Sequence, residues 1–98
     1  MAIKKKYLKS KPVCKVTFEL DGIEAENIVA VGNFNEWNTA ATPLKKFKNG
    51  KFKATIDLEK GSSYEFRYIA DGIYINDEQA DAYLWNDYAA AENGVLNL

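Results

Sequence analysis

Three stretches of this chain alternate apolar and polar residues with a period of two, and almost none of it reads as helix. Cys14, Val16, Phe18 and Leu20 fall on one side of an extended segment, with Lys15, Thr17 and Glu19 on the other. Phe52, Ala54, Ile56 and Leu58 repeat the pattern against Lys51, Lys53, Thr55 and Asp57, as do Tyr64, Phe66, Tyr68 and Ala70 against Glu65, Arg67 and Ile69. Each run predicts a half-buried strand, because successive side chains on a strand point to opposite faces. Asp21-Gly22, Asn49-Gly50, Lys60-Gly61-Ser62 and Asp71-Gly72 punctuate the runs, and Asn-Gly and Asp-Gly are strong hairpin signals. Ile28 to Val31 is apolar without interruption, which predicts a central strand covered on both faces. Gly94 to Leu98 reads as a last strand, whereas residues 76–92 are irregular, with a short helix conceivable over Asp77–Tyr83. About seven short strands with turn signals roughly every 8–12 residues predict an all-β, antiparallel, immunoglobulin-like sandwich. No internal repeat suggests a solenoid.

A chain of 98 residues is long enough for one hydrophobic core and too short for two. Its charge is unevenly spread: Lys4, Lys5, Lys6, Lys9, Lys11 and Lys15 come before any acid, and the remaining seven cations face 14 acids. The expected organisation is a basic N-terminal arm over 1–12, closed by Pro12, and one domain over 13–98. A nucleic-acid binder usually sets its basic residues among aromatics on a folded face, so a solvated arm is the simpler reading. Cys14 is the only cysteine, which excludes an internal disulfide, and its alternation with Val16 and Phe18 predicts a core position. The Lys-rich start lacks the unbroken apolar stretch of a secretory signal. No run approaches the ~20 apolar residues of a membrane span. A soluble cytoplasmic domain without membrane contact is the expectation.

Histidine is absent, which removes triads and dyads built on it and most zinc sites. The acids Asp77, Glu78, Asp81 and Asp87 are the candidates for a carboxylate pair, but a sandwich this small rarely encloses the cleft that glycosidase chemistry needs. No EF-hand spacing and no phosphate-cradling loop is present. No metal or cofactor is expected, and the chain reads as a non-enzyme. Binding is the more productive reading. Trp37 lies between Glu36 and Asn38 on a polar loop, where a rigid aromatic offers contact area at low entropic cost. Arg67 and Ile69 project opposite the core-facing Tyr64, Phe66 and Tyr68, and Tyr74 follows the Asp71-Gly72 turn. A sugar ring has an apolar C–H face and a hydroxyl rim, so its receptor needs flat aromatics and fixed hydrogen-bonding groups. Trp37, Tyr74 and Arg67, with the amides Asn33, Asn35 and Asn93, supply both.

Val31-Gly32-Asn33-Phe34-Asn35-Glu36-Trp37-Asn38, Pro43-Leu44, Asn49-Gly50-Lys51-Phe52, Tyr64-Glu65-Phe66-Arg67-Tyr68 and Asp71-Gly72 together resemble a glycogen-binding, or isoamylase early-set, domain. This is carbohydrate-binding module family 48, and the resemblance covers residues 13–98. It implies an immunoglobulin-like sandwich that binds α-1,4-glucans such as glycogen, starch or maltodextrin without catalysis, in a stand-alone form. It further implies Trp37 as the first stacking ring, Arg67 as the cation before the turn, Tyr74 as the second ring, and Asn93 as a donor to glucose hydroxyls. Tyr74 stands where Trp is frequent in the family, which implies a smaller stacking face. Leu84 and Trp85 are the candidates for the apolar side chain that enters the curve of the glucan. A glycogen-metabolising enzyme is the implied protein partner. Two alternatives stay open: a protein-interaction module with Trp37 and Tyr74 tucked away, and an accessory or catalytic part of a glycoside hydrolase system using the acids of 77–87.

Overall fold

The computed structural model describes residues 1–98 as nine β-strands in two antiparallel sheets, with no helix. The strands are β1 (Ala2–Tyr7), β2 (Val13–Leu20), β3 (Ile28–Gly32), β4 (Lys45–Lys46), β5 (Phe52–Glu59), β6 (Ser63–Ala70), β7 (Ile73–Ile75), β8 (Ala82–Asn86) and β9 (Ala91–Asn97). One sheet has the order β1-β2-β5-β4; the five-stranded sheet runs β3-β6-β9-β8, with β7 also paired to β6. The architecture is the immunoglobulin-like sandwich that the alternation predicts.

Register follows the sequence pattern. Cys14 pairs with Leu58, Val16 with Ile56, Phe18 with Ala54 and Leu20 with Phe52, so the apolar rows of β2 and β5 share one face. On the other face Lys15 meets Asp57, Glu19 meets Lys53, and the hydroxyls of Thr17 and Thr55 are 2.9 Å apart. Such opposed cross-strand pairs are what fixes a register. Phe18 from one sheet packs against Phe66 and Tyr68 of the other, at centroid distances of 5.4 and 5.8 Å. Cys14 is fully buried in this core, as its position in the alternation predicts. Beneath Tyr68 lies Asp77, also fully buried, whose Oδ2 accepts from the Tyr68 hydroxyl at 2.6 Å while Oδ1 accepts from Gln79 N–H at 2.7 Å. Burial, and then the adjacent carboxylate, push the Tyr68 hydroxyl well above its ordinary pKa.

The structure differs from the sequence expectation at three elements. Within residues 1–12, expected as an arm, Ala2–Tyr7 is instead the edge strand beside β2. Its inward positions are Ile3, opposite Phe18, and Lys5, whose ammonium bonds Asp81 Oδ2 at 2.5 Å and the Asn97 carbonyl at 3.2 Å on the other sheet. A lysine on the inward row hides the alternation. Strand β3 is an edge strand rather than a central one: the 42–44 segment closes its outer side through Ala30 N–H to Thr42 O and Leu44 N–H to Ile28 O, each 2.9 Å. Val31 is buried all the same, paired with Arg67, which accounts for the continuous apolar run. Finally, β8 occupies the segment read as irregular, and no helix forms at 77–83.

Three carboxylates hold the loops and the edge strand. Asp71, in a turn where it and Gly72 both have positive φ (48° and 84°), accepts from Glu26 and Asn27 N–H at 2.9 Å, and these bonds lower its pKa. Lys51 and Lys4, bonded to Glu19, lower that carboxyl in the same way. For Asp81, burial works upward, but Lys5 and the Asn97 N–H outweigh it. Each group therefore binds a proton less readily folded than unfolded, so its stabilisation is complete above the ordinary carboxylate pKa and is lost as pH falls through the depressed folded value. Tm is expected to hold near neutrality and fall once the pH drops below about 4. Asp71→Asn should flatten that decline, and thermal melts across pH 2–7 in which it leaves the slope unchanged would contradict the assignment.

No helix is long and apolar enough to cross a membrane.

Candidate functional site

Strand β3 ends at Gly32 because nothing larger fits there. A Cβ on that residue would lie 2.5 Å from the Glu65 carbonyl oxygen and 2.7 Å from the Phe34 ring. This close approach lets the next turn fold tightly onto β6. Asn33 N–H donates to Glu65 O, and Asn33 Oδ1 accepts from Glu65 N–H, both at 3.1 Å. Asn35 Oδ1 accepts from Gly32 N–H, and its Nδ2 donates to Ala30 O at 3.1 Å and Thr42 Oγ1 at 3.0 Å. Both side chains hold the turn: Asn35 uses its whole amide to do so, and Asn33, which is exposed, uses its Oδ1. Phe34 stacks inward on Phe18, with centroids 6.3 Å apart and planes 22° apart. With the turn anchored on both sides, Glu36 and Trp37 take left-handed backbone conformations, each with φ of 57°, and Trp37 N–H donates to Gly32 O at 2.8 Å. Two consecutive non-glycine residues in that region cost of order 1 kcal/mol each or more, and persist only where the surroundings enforce them. The outcome is an indole held in place and still 38% exposed.

The neighbouring sheet face supplies the rest. Arg67 on β6 stands outward beside Val31, and its guanidinium carbon lies 4.9 Å from the centre of the Tyr74 ring on β7. A cation over an aromatic face is attracted to the ring quadrupole and orients both groups. Ile69, which would be an unexplained outward apolar residue, sits between Val29 and Tyr74. On β9, Asn93 is 2% exposed, and its Nδ2 reaches Glu65 Oε1 at 3.4 Å. Arg67 Nε and Asn93 Oδ1 are buried and have no hydrogen-bond partner within the protein. A buried polar atom left unpaired costs about 1–3 kcal/mol, so these two atoms are a local cost carried at this face.

Trp37, Arg67, Tyr74 and Asn93 line one open cavity of about 510 Å³, together with Asn86, Tyr88 and Ala89. Four of the eight sugar-binding candidates named from the sequence therefore meet. Leu84 lies on the same side of β8 as Asn86, directly across from Asn93, but outside the cavity. Trp85 is one residue on and so points to the opposite side of the strand. The sequence reading gave no role to Asn86, Tyr88 or Ala89. They belong to the β8–β9 turn, where Ala89 N–H bonds Asn86 Oδ1 at 2.9 Å and Ala90 has φ of 51°, leaving Tyr88 fully exposed. The available signal was akin to the one that marked Trp37: an aromatic beside polar turn-forming residues, here preceded by Asn86-Asp87.

The acids of 77–87 take structural parts. Asp77 lies under Tyr68, Asp81 binds Lys5, and Asp87 Oδ1 accepts from the Trp85 indole N–H at 2.7 Å. No group of three or more His, Cys, Asp or Glu side chains converges as a metal site.

No curated protein matches the chain. A family model described as the glycogen recognition site of AMP-activated protein kinase matches residues 14–96, from the second residue of β2 to the penultimate residue of β9. The match agrees with the resemblance carried by residues 31–38 and 64–72, and with the sandwich that presents them. The chain belongs to the family of the glycogen recognition site of AMP-activated protein kinase.

Proposed function

We propose that this domain binds α-1,4-glucans without catalysis, with Trp37 and Tyr74 as stacking rings and Arg67 and Asn93 as hydrogen-bonding groups. Tyr88 joins them as a third aromatic, exposed at the cavity's edge. One observation carries the reading: two aromatics, a guanidinium and an amide from four separate parts of the chain share one open cavity. Flat rings cover the C–H faces of glucose units, while polar groups between them meet the hydroxyls. An open cavity with rings on separate elements suits an α-linked chain, which bends, better than a straight β-linked one. Membership of a glycogen-recognition family supports the same ligand class, and is also what supports a glycogen-metabolising enzyme as partner. A protein-interaction role alone would have Trp37 and Tyr74 packed away, whereas they are 38% and 49% exposed. Asp77, Asp81 and Asp87 are engaged with internal partners, which leaves Glu78 as the one unengaged carboxylate of that segment and no pair of them for acid–base hydrolysis.

A few stacked rings with rim hydrogen bonds support micromolar to millimolar affinity, about −4 to −8 kcal/mol. Calorimetric titration with maltoheptaose should give saturable binding in that range, with cellohexaose much weaker. No heat at millimolar maltoheptaose would end the proposal. Tyr74 also offers a graded test. Tyr74→Trp enlarges the stacking face and keeps a ring under Arg67, so maltoheptaose affinity should rise roughly three- to tenfold, from about 0.5–1.5 kcal/mol of added aromatic contact. Unchanged or weaker binding would mean that Tyr74 does not stack on the sugar.

A further inference from the structure

The first cavity uses only one side of the β8–β9 hairpin. Leu84 and Asn86 share the side of Asn93; Tyr83 and Trp85 project from the other, 41% and 62% exposed. Both of these rings are fixed by their polar ends. The Tyr83 hydroxyl donates to the main-chain oxygen of Asp77, and the Trp85 indole N–H donates to Asp87 Oδ1. With those polar atoms satisfied inside the protein, what each ring offers outward is its apolar surface. Residues two apart on a strand are separated by roughly 6.6 Å, so the two rings stand side by side within the reach of a disaccharide. Glu92, the exposed cross-strand neighbour of Trp85, and Asp87 border them with carboxylate acceptors.

We infer that Trp85, with Tyr83 beside it, forms a second stacking subsite for the same α-glucan, reached by chains long enough to pass around the end of the hairpin. This rests on the function proposed above. The connection is the 86–90 turn. Asn86, Tyr88 and Ala89 line the first cavity, while Trp85 and Asp87, their immediate neighbours in sequence, belong to the other side. A curved chain leaving the cavity across Tyr88 therefore meets the indole of Trp85 next. A second copy of this protein is a poorer occupant of the same surface. Antiparallel self-pairing of β8 about Leu84 would set Tyr83 against Trp85 of the other copy, but also Asp81 against Asp87 at both ends. Like charges placed opposite each other on neighbouring strands are destabilising.

The test compares ligand lengths. Maltotriose and maltodecaose are titrated into the wild-type domain, Trp85→Ala, Trp85→Phe and Trp37→Ala, with thermal melts as a folding control and light scattering for oligomeric state. Trp85→Ala should leave maltotriose binding within twofold of wild type and weaken maltodecaose by roughly three- to tenfold. Trp85→Phe, which keeps a ring, should recover part of the loss. Trp37→Ala should lose both ligands. If Trp85→Ala binds maltodecaose like the wild type while Trp37→Ala does not, the second subsite is wrong and the first stands. Equal weakening of both lengths would put Trp85 in the first cavity and overturn the inference. So would a wild-type dimer that Trp85→Ala dissociates, since the face would then serve self-association. A wild-type domain that binds neither sugar overturns this inference and the proposed function together.

Discussion

Trp37→Ala is expected to remove measurable maltoheptaose binding while shifting Tm by only a few degrees. The indole is the largest ring in the cavity, and the one whose position the protein enforces most strongly, through two left-handed residues and the anchored amides of Asn33 and Asn35. Rigid aromatic anchors at the centre of a binding surface commonly lose about 2–4 kcal/mol on truncation, or roughly 30- to 1,000-fold. From the weaker part of the micromolar-to-millimolar range this places the variant beyond calorimetric detection, and from the tighter end it leaves a loss of at least about 30-fold to be read. Stability responds much less, because the side chain is 38% exposed and alanine accepts the φ of 57° no worse than tryptophan does. The neighbouring ring gives a comparison within the same site: Tyr88→Ala, at a fully exposed edge position, should weaken binding by less. A Trp37→Ala protein that melts normally and binds maltoheptaose within threefold of wild type would remove the indole from the site.

What could be read from the sequence follows burial contrast. β2 and β5 were legible because one row of each is apolar against a polar or charged row, and the two hairpin turns because Asn-Gly and Asp-Gly favour left-handed backbone. β1 was hidden because its inward row includes Lys5, whose charge is met by Asp81 on the other sheet, a partner 76 residues away. β8 was hidden for another reason: Ala82, Tyr83, Leu84 and Trp85 are all exposed, so neither face has a distinct polarity to detect. That missing strand is also why Leu84 and Trp85 could not be separated in advance, since the side each residue takes depends on its pairing with β9. Trp37, Arg67 and Tyr74 share one cavity lining because Trp37 and Tyr74 each lie beside a turn the sequence specifies, and the alternation of β6 sets Arg67 on their side. Asn33 and Asn35 lie outside the cavity lining and hold their own turn, a role that residue type alone does not separate from meeting a ligand.

Gly32→Ala is expected to be the most destabilising of these single changes, for a reason distinct from glycine's usual role. Gly22, Gly50, Gly61 and Gly72 have positive φ with open space around them, whereas Gly32 is limited by contact. A methyl group there meets the Glu65 carbonyl at 2.5 Å and the Phe34 ring at 2.7 Å. The carbonyl belongs to β6, the strand paired with β3, β7 and β9, so it cannot retreat alone. Phe34 cannot swing away without leaving Phe18. The remaining route separates β3 from β6 and weakens the paired bonds between Asn33 and Glu65, adding a loss of backbone hydrogen bonding to the overpacking. Overpacking alone costs about 1–3 kcal/mol, and each lost bond about 1 kcal/mol more, so a total near 3–5 kcal/mol is expected. At about 4–8 °C per kcal/mol for a domain of this size, Tm should fall by at least about 12 °C. Gly50→Ala, with φ of 84° and nothing within 4 Å of the added carbon, isolates the conformational cost and should lower stability by only about 1 kcal/mol. A Gly32→Ala melt no lower than that of Gly50→Ala would show that β3 and β6 part without penalty. The turn presenting Trp37 would then owe its geometry to something other than this contact.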